Sequence, residues 1–220
     1  MSKSAVIFDL DGTLLDTLDD LADAVNYFLT TQGYPTVSRQ TVRSYLGNGA
    51  ADLIRRSLPE RVDEETFARY VKEYTEYYAA HSAIKTKPYD GVLDILKELK
   101  KKGIVTAVVS NKPDIAVREL CRRYFGELVD FSVGDRPDIN RKPSAEPVIF
   151  AMNSVGCDRA VFVGDSEVDV LTAANAGLPC ISLTWGFRDR DFLEERGAIH
   201  FADDACQLEK QIFELLAEEN

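Results

Sequence analysis

No apolar stretch in this sequence approaches the roughly 20 residues that cross a bilayer, so a membrane-spanning reading is excluded. Cysteine is sparse: Cys121, Cys157, Cys180 and Cys206 lie far apart. That spacing fits neither a zinc site nor a disulfide framework, and the four read as free thiols. The two histidines, His81 and His200, stand alone and read as structural or surface residues. Cations are also in deficit, with 26 Lys and Arg against 37 Asp and Glu and a net charge of -11. Such a surface is wrong for nucleic acid, which is bound by neutralising phosphates, and wrong for anionic lipid. It also repels small anions, so any anionic substrate requires local cations at its site. Met1-Ser2-Lys3-Ser4 leads straight into a strand-like segment with no apolar signal stretch, and the expected location is cytoplasmic.

What is present is 220 residues of ordinary globular composition, 45% hydrophobic and 29% charged, enough for one well-packed domain and a smaller one. Short, continuously apolar runs recur at Ala5–Phe8, Ile104–Val109, Val129–Val133, Val161–Val163 and Cys180–Leu183. Continuous rather than alternating hydrophobicity suits strands buried on both faces of a parallel sheet. Between them, helices are predicted over Val92–Lys102, Ile115–Tyr124, Ala145–Val155 and Val168–Ala176. The alternation implies an α/β, doubly wound, Rossmann-like parallel sheet.

Residues 17–83 break that rhythm. They show only helical periodicity, with Leu21, Val25, Phe28 and Leu29 on one face and Phe67, Tyr70, Val71, Tyr74 and Tyr78 on another. The expected organisation is a core of residues 1–16 and 84–220, with a small helical domain of residues 17–83 inserted after the first strand. Thr17–Asp20 and Ile84–Asp90 are the expected hinge strands. The tail Glu218-Glu219-Asn220 reads as a frayed helix end.

Four polar constellations each follow a predicted strand. In Phe8-Asp9-Leu10-Asp11-Gly12-Thr13, two carboxylates stand two residues apart where open α/β sheets bind ligands. Their mutual repulsion calls for a cation, and magnesium prefers carboxylate oxygens and draws phosphate into its shell. Ser110-Asn111-Lys112-Pro113 offers a hydroxyl and an amide to a phosphoryl oxygen, or a helix cap. Arg141-Lys142-Pro143-Ser144 supplies a lysine in a stiff loop, able to neutralise a carboxylate and hold phosphate. Gly164-Asp165-Ser166-Glu167-Val168-Asp169 ends another strand in an acidic turn. Asp165 is a metal-ligand candidate there, and Asp169, one helical turn on, is a supporting group behind the ligands.

Taken together and in this order, the four constellations and the helical insert resemble the haloacid dehalogenase (HAD) superfamily of phosphatases. Gly47-Asn48-Gly49, Ser110-Asn111-Lys112-Pro113 and Lys142-Pro143 are most similar to its phosphoglycolate phosphatase branch. The chain differs from that branch in carrying Ser110 where threonine is frequent, and in Ala145 and Asp90. The resemblance implies a magnesium-dependent phosphatase acting on a small phosphorylated metabolite through an aspartyl-phosphate. Asp9 would be the nucleophile, Asp11 the acid and then the base, and Ser110, Asn111 and Lys142 phosphate binders. Magnesium would be held by Asp9, the Asp11 carbonyl and Asp165, with Asp169 behind. It further implies that the insert is a cap whose Asn48, Gly49 and Arg55 or Arg56 read the rest of the substrate. Expected partners are 2-phosphoglycolate first, with pyrophosphate, sugar phosphates, nucleotides or a mutase reaction as alternatives. A silent phosphate-binding module is a remote third. The assembly expected is a monomer or homodimer.

Overall fold

The computed structural model describes residues 3–218, so the expected fraying at the C-terminus lies largely outside the described residues. Two compact units are formed. One runs to Leu15 and resumes at Pro88, and the other spans Asp16–Lys87.

The first unit is built on six parallel strands: β1 (Ser4–Phe8), β4 (Val105–Pro113), β5 (Phe131–Asp135), β6 (Arg159–Gly164), β7 (Cys180–Leu183) and β8 (His200–Ala202). Their spatial order is β5-β4-β1-β6-β7-β8. The chain therefore winds outward from β1 in one direction and then in the other. This is the doubly wound arrangement whose switch point lies beside the first strand. The helices α5 (Val92–Lys101), α6 (Asp114–Tyr124), α7 (Glu146–Val155), α8 (Glu167–Ala176), α9 (Arg190–Glu194) and α10 (Ala205–Glu218) complete the unit. Ala5, Val6, Ile7 and Phe8 are at most 1% exposed, which explains their unbroken apolar run. One core cluster joins Ile7, Ala107, Val109, Val133, Val148 and Phe162.

Strand β4 runs further than its apolar run. Its register against β5 slips between Val109↔Val133 and Pro113↔Asp135. Four steps along one strand match two along the other, so Ser110, Asn111 and Lys112 bulge out of the regular ladder. The short edge strand β8 and helices α9 and α10 lie beyond the elements read from sequence.

The second unit contains α1 (Leu18–Thr31), α2 (Arg39–Tyr45), α3 (Gly49–Ser57) and α4 (Glu64–His81). Leu21, Val25, Phe28 and Leu29 are buried, as are Phe67, Tyr70, Tyr74 and Tyr78. Phe28 meets Tyr70 edge-on at 5.2 Å, so the tyrosine stripe is helix packing. The expected strand over residues 17–20 needs correction, whereas a strand does fall within 84–90. The segments that pair as strands are β2 (Leu15–Asp16) and β3 (Lys87–Pro88), whereas Leu18–Asp20 is the first turn of α1. Asp19 and Asp20 suit a helix N-terminus, where acidic side chains complement the dipole.

Asp20 has a second task. Its buried carboxylate accepts from the backbone N–H of Ile84, Lys85 and Thr86 at 2.9–3.1 Å and from the Thr86 hydroxyl at 2.8 Å. It thereby ties the first helix to the returning chain. Asp20→Ala strands these donors and is expected to cost on the order of 3 kcal/mol, read as a lower urea midpoint. An unchanged midpoint would show that water replaces the carboxylate without penalty.

Candidate active site

The site begins one residue past β1. The Asp9 N–H donates to the Val163 carbonyl at 2.9 Å, extending the ladder with β6 by one step. Asp165 stands one residue past β6, so both aspartates meet at the switch point of the sheet. The chain then turns back through Gly12, whose N–H reaches the Leu15 carbonyl at 2.9 Å. Gly12 has φ +83°, and a Cβ there would lie 2.4 Å from an Asp165 carboxylate oxygen. Only glycine allows that turn to lie against that side chain.

Asp165 is fully buried. Its Oδ1 accepts from the Thr13 hydroxyl at 2.7 Å and its Oδ2 from the Phe187 N–H at 2.7 Å. A Cβ on Gly186 would approach the Asp165 Cβ at 2.3 Å, so the loop after β7 closes on the carboxylate from the other side. Trp185 braces this loop by donating its indole N–H to the Thr13 carbonyl at 3.2 Å.

Asp169 is committed at both oxygens. Oδ2 accepts from the N–H of Asp165 and Ser166 and from the Ser166 hydroxyl at 2.7–3.2 Å. Oδ1 receives the Lys142 ammonium at 2.7 Å. Lys142 is 2% exposed and also stands 2.9 Å from Asp9 Oδ1. That oxygen is buried, and the ammonium is its ion-pair partner.

The electrostatics follow from burial. Asp9, Asp165 and Asp169 can bring ligand oxygens within 4.8 Å of one another. Burial, reinforced by Asp169 and Asp11, pushes the Asp9 carboxyl up to about 7 despite the opposing Lys142 ammonium. Burial and then the charges of Asp169 and Asp9 push Asp165 well above its usual value. Burial alone would lower Lys142, but Asp169 and Asp9 outweigh it and hold its ammonium above the usual range. One lysine against three buried carboxylates leaves a deficit of positive charge. A cluster of three carboxylates offering only oxygen donors fits a hard divalent cation such as Mg²⁺. Asp9 and Asp165 are the side chains able to hold it, with Asp169 supporting through Lys142 and the Asp165 backbone.

The sign of the metal-free pH dependence follows. Folded-state values raised above the usual 3.8 for Asp9 and Asp165 mean that the native state binds more protons than the unfolded chain between those limits. The stability these two groups contribute is then fully present below about pH 4 and is lost, for Asp9, as pH rises through about 7. A cation that displaces those protons is worth more at higher pH. The melting-temperature gain on adding Mg²⁺ to EDTA-treated protein is expected to grow from pH 5 to pH 8. A gain independent of pH would place the ion elsewhere.

The remaining predicted residues fall as follows. Ser110 and Asn111 are both 6% exposed. Neither caps α6, whose N-cap position is Pro113. Asn111 donates its amide to the Lys142 carbonyl at 3.0 Å, a contact that holds the lysine's loop. The Asp11 carboxylate is bound by Lys112, whose Nζ lies 2.8 and 2.9 Å from its two oxygens. Within the helical unit, Asn48 takes the N-cap position of α3 without a side-chain cap bond, directly before Gly49 at φ +81°. The exposed arginines are engaged inside that unit. Arg55 lies over the Phe67 ring and 4.0 Å from Glu64, and Arg56 lies over Tyr45 and 3.7 Å from Asp52.

The run Trp185-Gly186-Phe187-Arg188 follows a strand end and reads from sequence as a crevice rim, and Gly186 and Phe187 do meet Asp165. The bond from Thr13 to Asp165 and the pairing of Lys112 carry no signal in the sequence until the fold brings the partners together.

The chain belongs to the haloacid dehalogenase-like hydrolase family, whose model matches residues 6–183, and it is a phosphatase. Among named relatives, phosphoglycolate phosphatase 1 of Pseudomonas aeruginosa is 37% identical over 190 residues, 83% of this chain and 70% of that protein. Phosphoglycolate phosphatase of Vibrio parahaemolyticus is 34% identical over 215 residues, 92% and 93% of the two chains. A crystal structure from Lactobacillus delbrueckii subsp. bulgaricus, assigned but not proven as a phosphoglycolate phosphatase, superposes at TM-score 0.89. It has 34% identity over 96% of this chain and 99% of that one. Among the described residues, no helix is long and apolar enough to cross a membrane.

Proposed function

We propose that this phosphatase hydrolyses a small phosphorylated acid, 2-phosphoglycolate first, through a covalent phosphoryl group on Asp9 and with Mg²⁺ bound. The observation that carries this reading is the Asp9 carboxylate. It is nearly buried, holds the Lys142 ammonium at 2.9 Å with one oxygen, and shares a three-carboxylate cluster with Asp165. A carboxylate so held has one oxygen fixed by the lysine and leaves the other to attack phosphorus.

In the first half-reaction an Asp9 oxygen bonds to phosphorus, the ester bond breaks, and the leaving alkoxide takes a proton from Asp11. In the second, Asp11 takes a proton from water as that water displaces phosphate from Asp9. Dividing one difficult displacement into two lowers each barrier. Ser110 and Lys142 bind the phosphoryl oxygens, and Asn111 serves them through the Lys142 loop. Bound through Asp9, the Asp11 carbonyl and Asp165, Mg²⁺ would screen the phosphate and the carboxylates from one another.

The helical unit is assigned the role of a cap that selects the leaving group. Asn48 and Gly49 offer a glycine-flanked helix N-terminus suited to an anion, and Arg55 or Arg56 offers a guanidinium for a substrate carboxylate. The substrate proposal draws on the names of the relatives. Its test is a Mg²⁺-dependent phosphate-release screen over 2-phosphoglycolate, pyrophosphate, sugar phosphates and nucleotides. A preference of about 100-fold for phosphoglycolate in kcat/KM, roughly 2.7 kcal/mol in the transition state, supports it. A flat profile, or phosphate returned to a hexose instead of water, refutes it.

A further inference from the structure

Lys112 is a buried charge to which the reaction above gives no task. Its side chain is 4% exposed, and its ammonium donates to both oxygens of Asp11 at 2.9 and 2.8 Å. Burying an ammonium is costly and is offset only by close pairing. The pairing is set up by the bulge in β4. The segment that presents Ser110 also presents Lys112, whose N–H reaches the Ser110 hydroxyl at 3.3 Å. The site thus divides two buried lysines between two jobs. Lys142 serves Asp9 and Asp169, and Lys112 serves Asp11.

We propose that Lys112 is a positioning residue for the second half-reaction, holding the Asp11 carboxylate by both oxygens as the base for water. This rests on the roles given above to Asp9 and Asp11. In that step the water oxygen bonds to phosphorus and the bond from phosphorus to the Asp9 oxygen breaks. The water proton passes to Asp11, and inorganic phosphate leaves with Asp9 restored as a carboxylate. With the ammonium shared almost equally, one Asp11 oxygen takes the proton while the other stays anchored. Without Lys112 the carboxylate rotates freely, and the aim of the base is lost.

The experiment is rapid mixing of Lys112→Met with 4-nitrophenyl phosphate and Mg²⁺. This leaving group departs without protonation, so formation of the phosphoenzyme is spared and only its hydrolysis slows. The expected trace is a burst of nitrophenolate near one per site, then a steady rate about 10–100-fold below that of the unmodified protein. Lys112→Arg, which keeps paired donors, should recover part of that rate. Lys112→Gln replaces the methionine variant if that one fails to fold, and the same trace is required of it. An unchanged steady rate, or slowing with no burst, overturns the inference. Asp11→Asn run in parallel separates the two levels. If it shows no burst, the assignment of Asp11 falls. If it bursts while the Lys112 variants do not, only the role of Lys112 falls.

Discussion

Asp9→Asn is expected to lose hydrolysis by about 10⁴-fold or more while melting no lower, and in EDTA somewhat higher, than the unmodified protein. An amide cannot take up and release a phosphoryl group as a carboxylate does, so nothing covalent remains of the first half-reaction. Acid-quenched protein should carry label from substrate phosphate before the substitution and none after it. The gain in stability has a separate cause. Asp9 is one of three carboxylates whose oxygens gather within 4.8 Å, and burial pushes its carboxyl up to about 7. Above that pH the metal-free site holds a charge its surroundings disfavour, and a neutral amide removes it. Lys142 keeps Asp169 as a partner at 2.7 Å, so the loss of Asp9 does not orphan the ammonium. Each kcal/mol recovered raises the melting temperature of a chain this size by about 2–4 °C. Retention of more than about 1% activity would move the covalent step to another group. A large fall in melting temperature would mean that Asp9 holds the fold together.

The sheet was legible because strands buried on both faces leave continuous apolar runs, and Ala5–Phe8 and Val161–Val163 are such runs. The acidic turns were legible because each stands at the end of such a run. Hidden from sequence were relations between elements. Lys112 looks like a loop lysine along the chain, and its place beside Asp11 follows a four-to-two slip between β4 and β5 that the sequence does not show. Gly186 reads as part of a crevice rim, but its approach to the Asp165 side chain is visible only in the fold. Asp20 reads as a hinge residue because its partners, Ile84 to Thr86, are more than sixty positions away. At three residues, β8 is too short to carry a period of its own.

Lys142→Met is the substitution expected to cost most in stability. It leaves Asp9, Asp165 and Asp169 buried together with their nearest cation removed. Breaking a buried pair from one side costs about 3–5 kcal/mol, because the uncompensated charge stays behind. Methionine matches the length of the stem, so packing against Phe162, 5.6 Å from the ammonium, changes little and the loss is electrostatic. Two controls distinguish that origin. Adding Asp169→Asn to Lys142→Met removes one stranded carboxylate, and the double variant should recover part of the stability, a coupling measured by a double-mutant cycle. Saturating Mg²⁺ should recover more in Lys142→Met than in the unmodified chain, since a divalent ion meets a larger charge deficit there. Hydrolysis is expected to fall as well, by about 10²–10³-fold, without restoration by the ion if the ammonium binds the transferring phosphoryl group as proposed. Full catalytic rescue by Mg²⁺ would assign Lys142 to charge balance alone. Equal instability of the single and double variants would show the loss to be packing rather than charge.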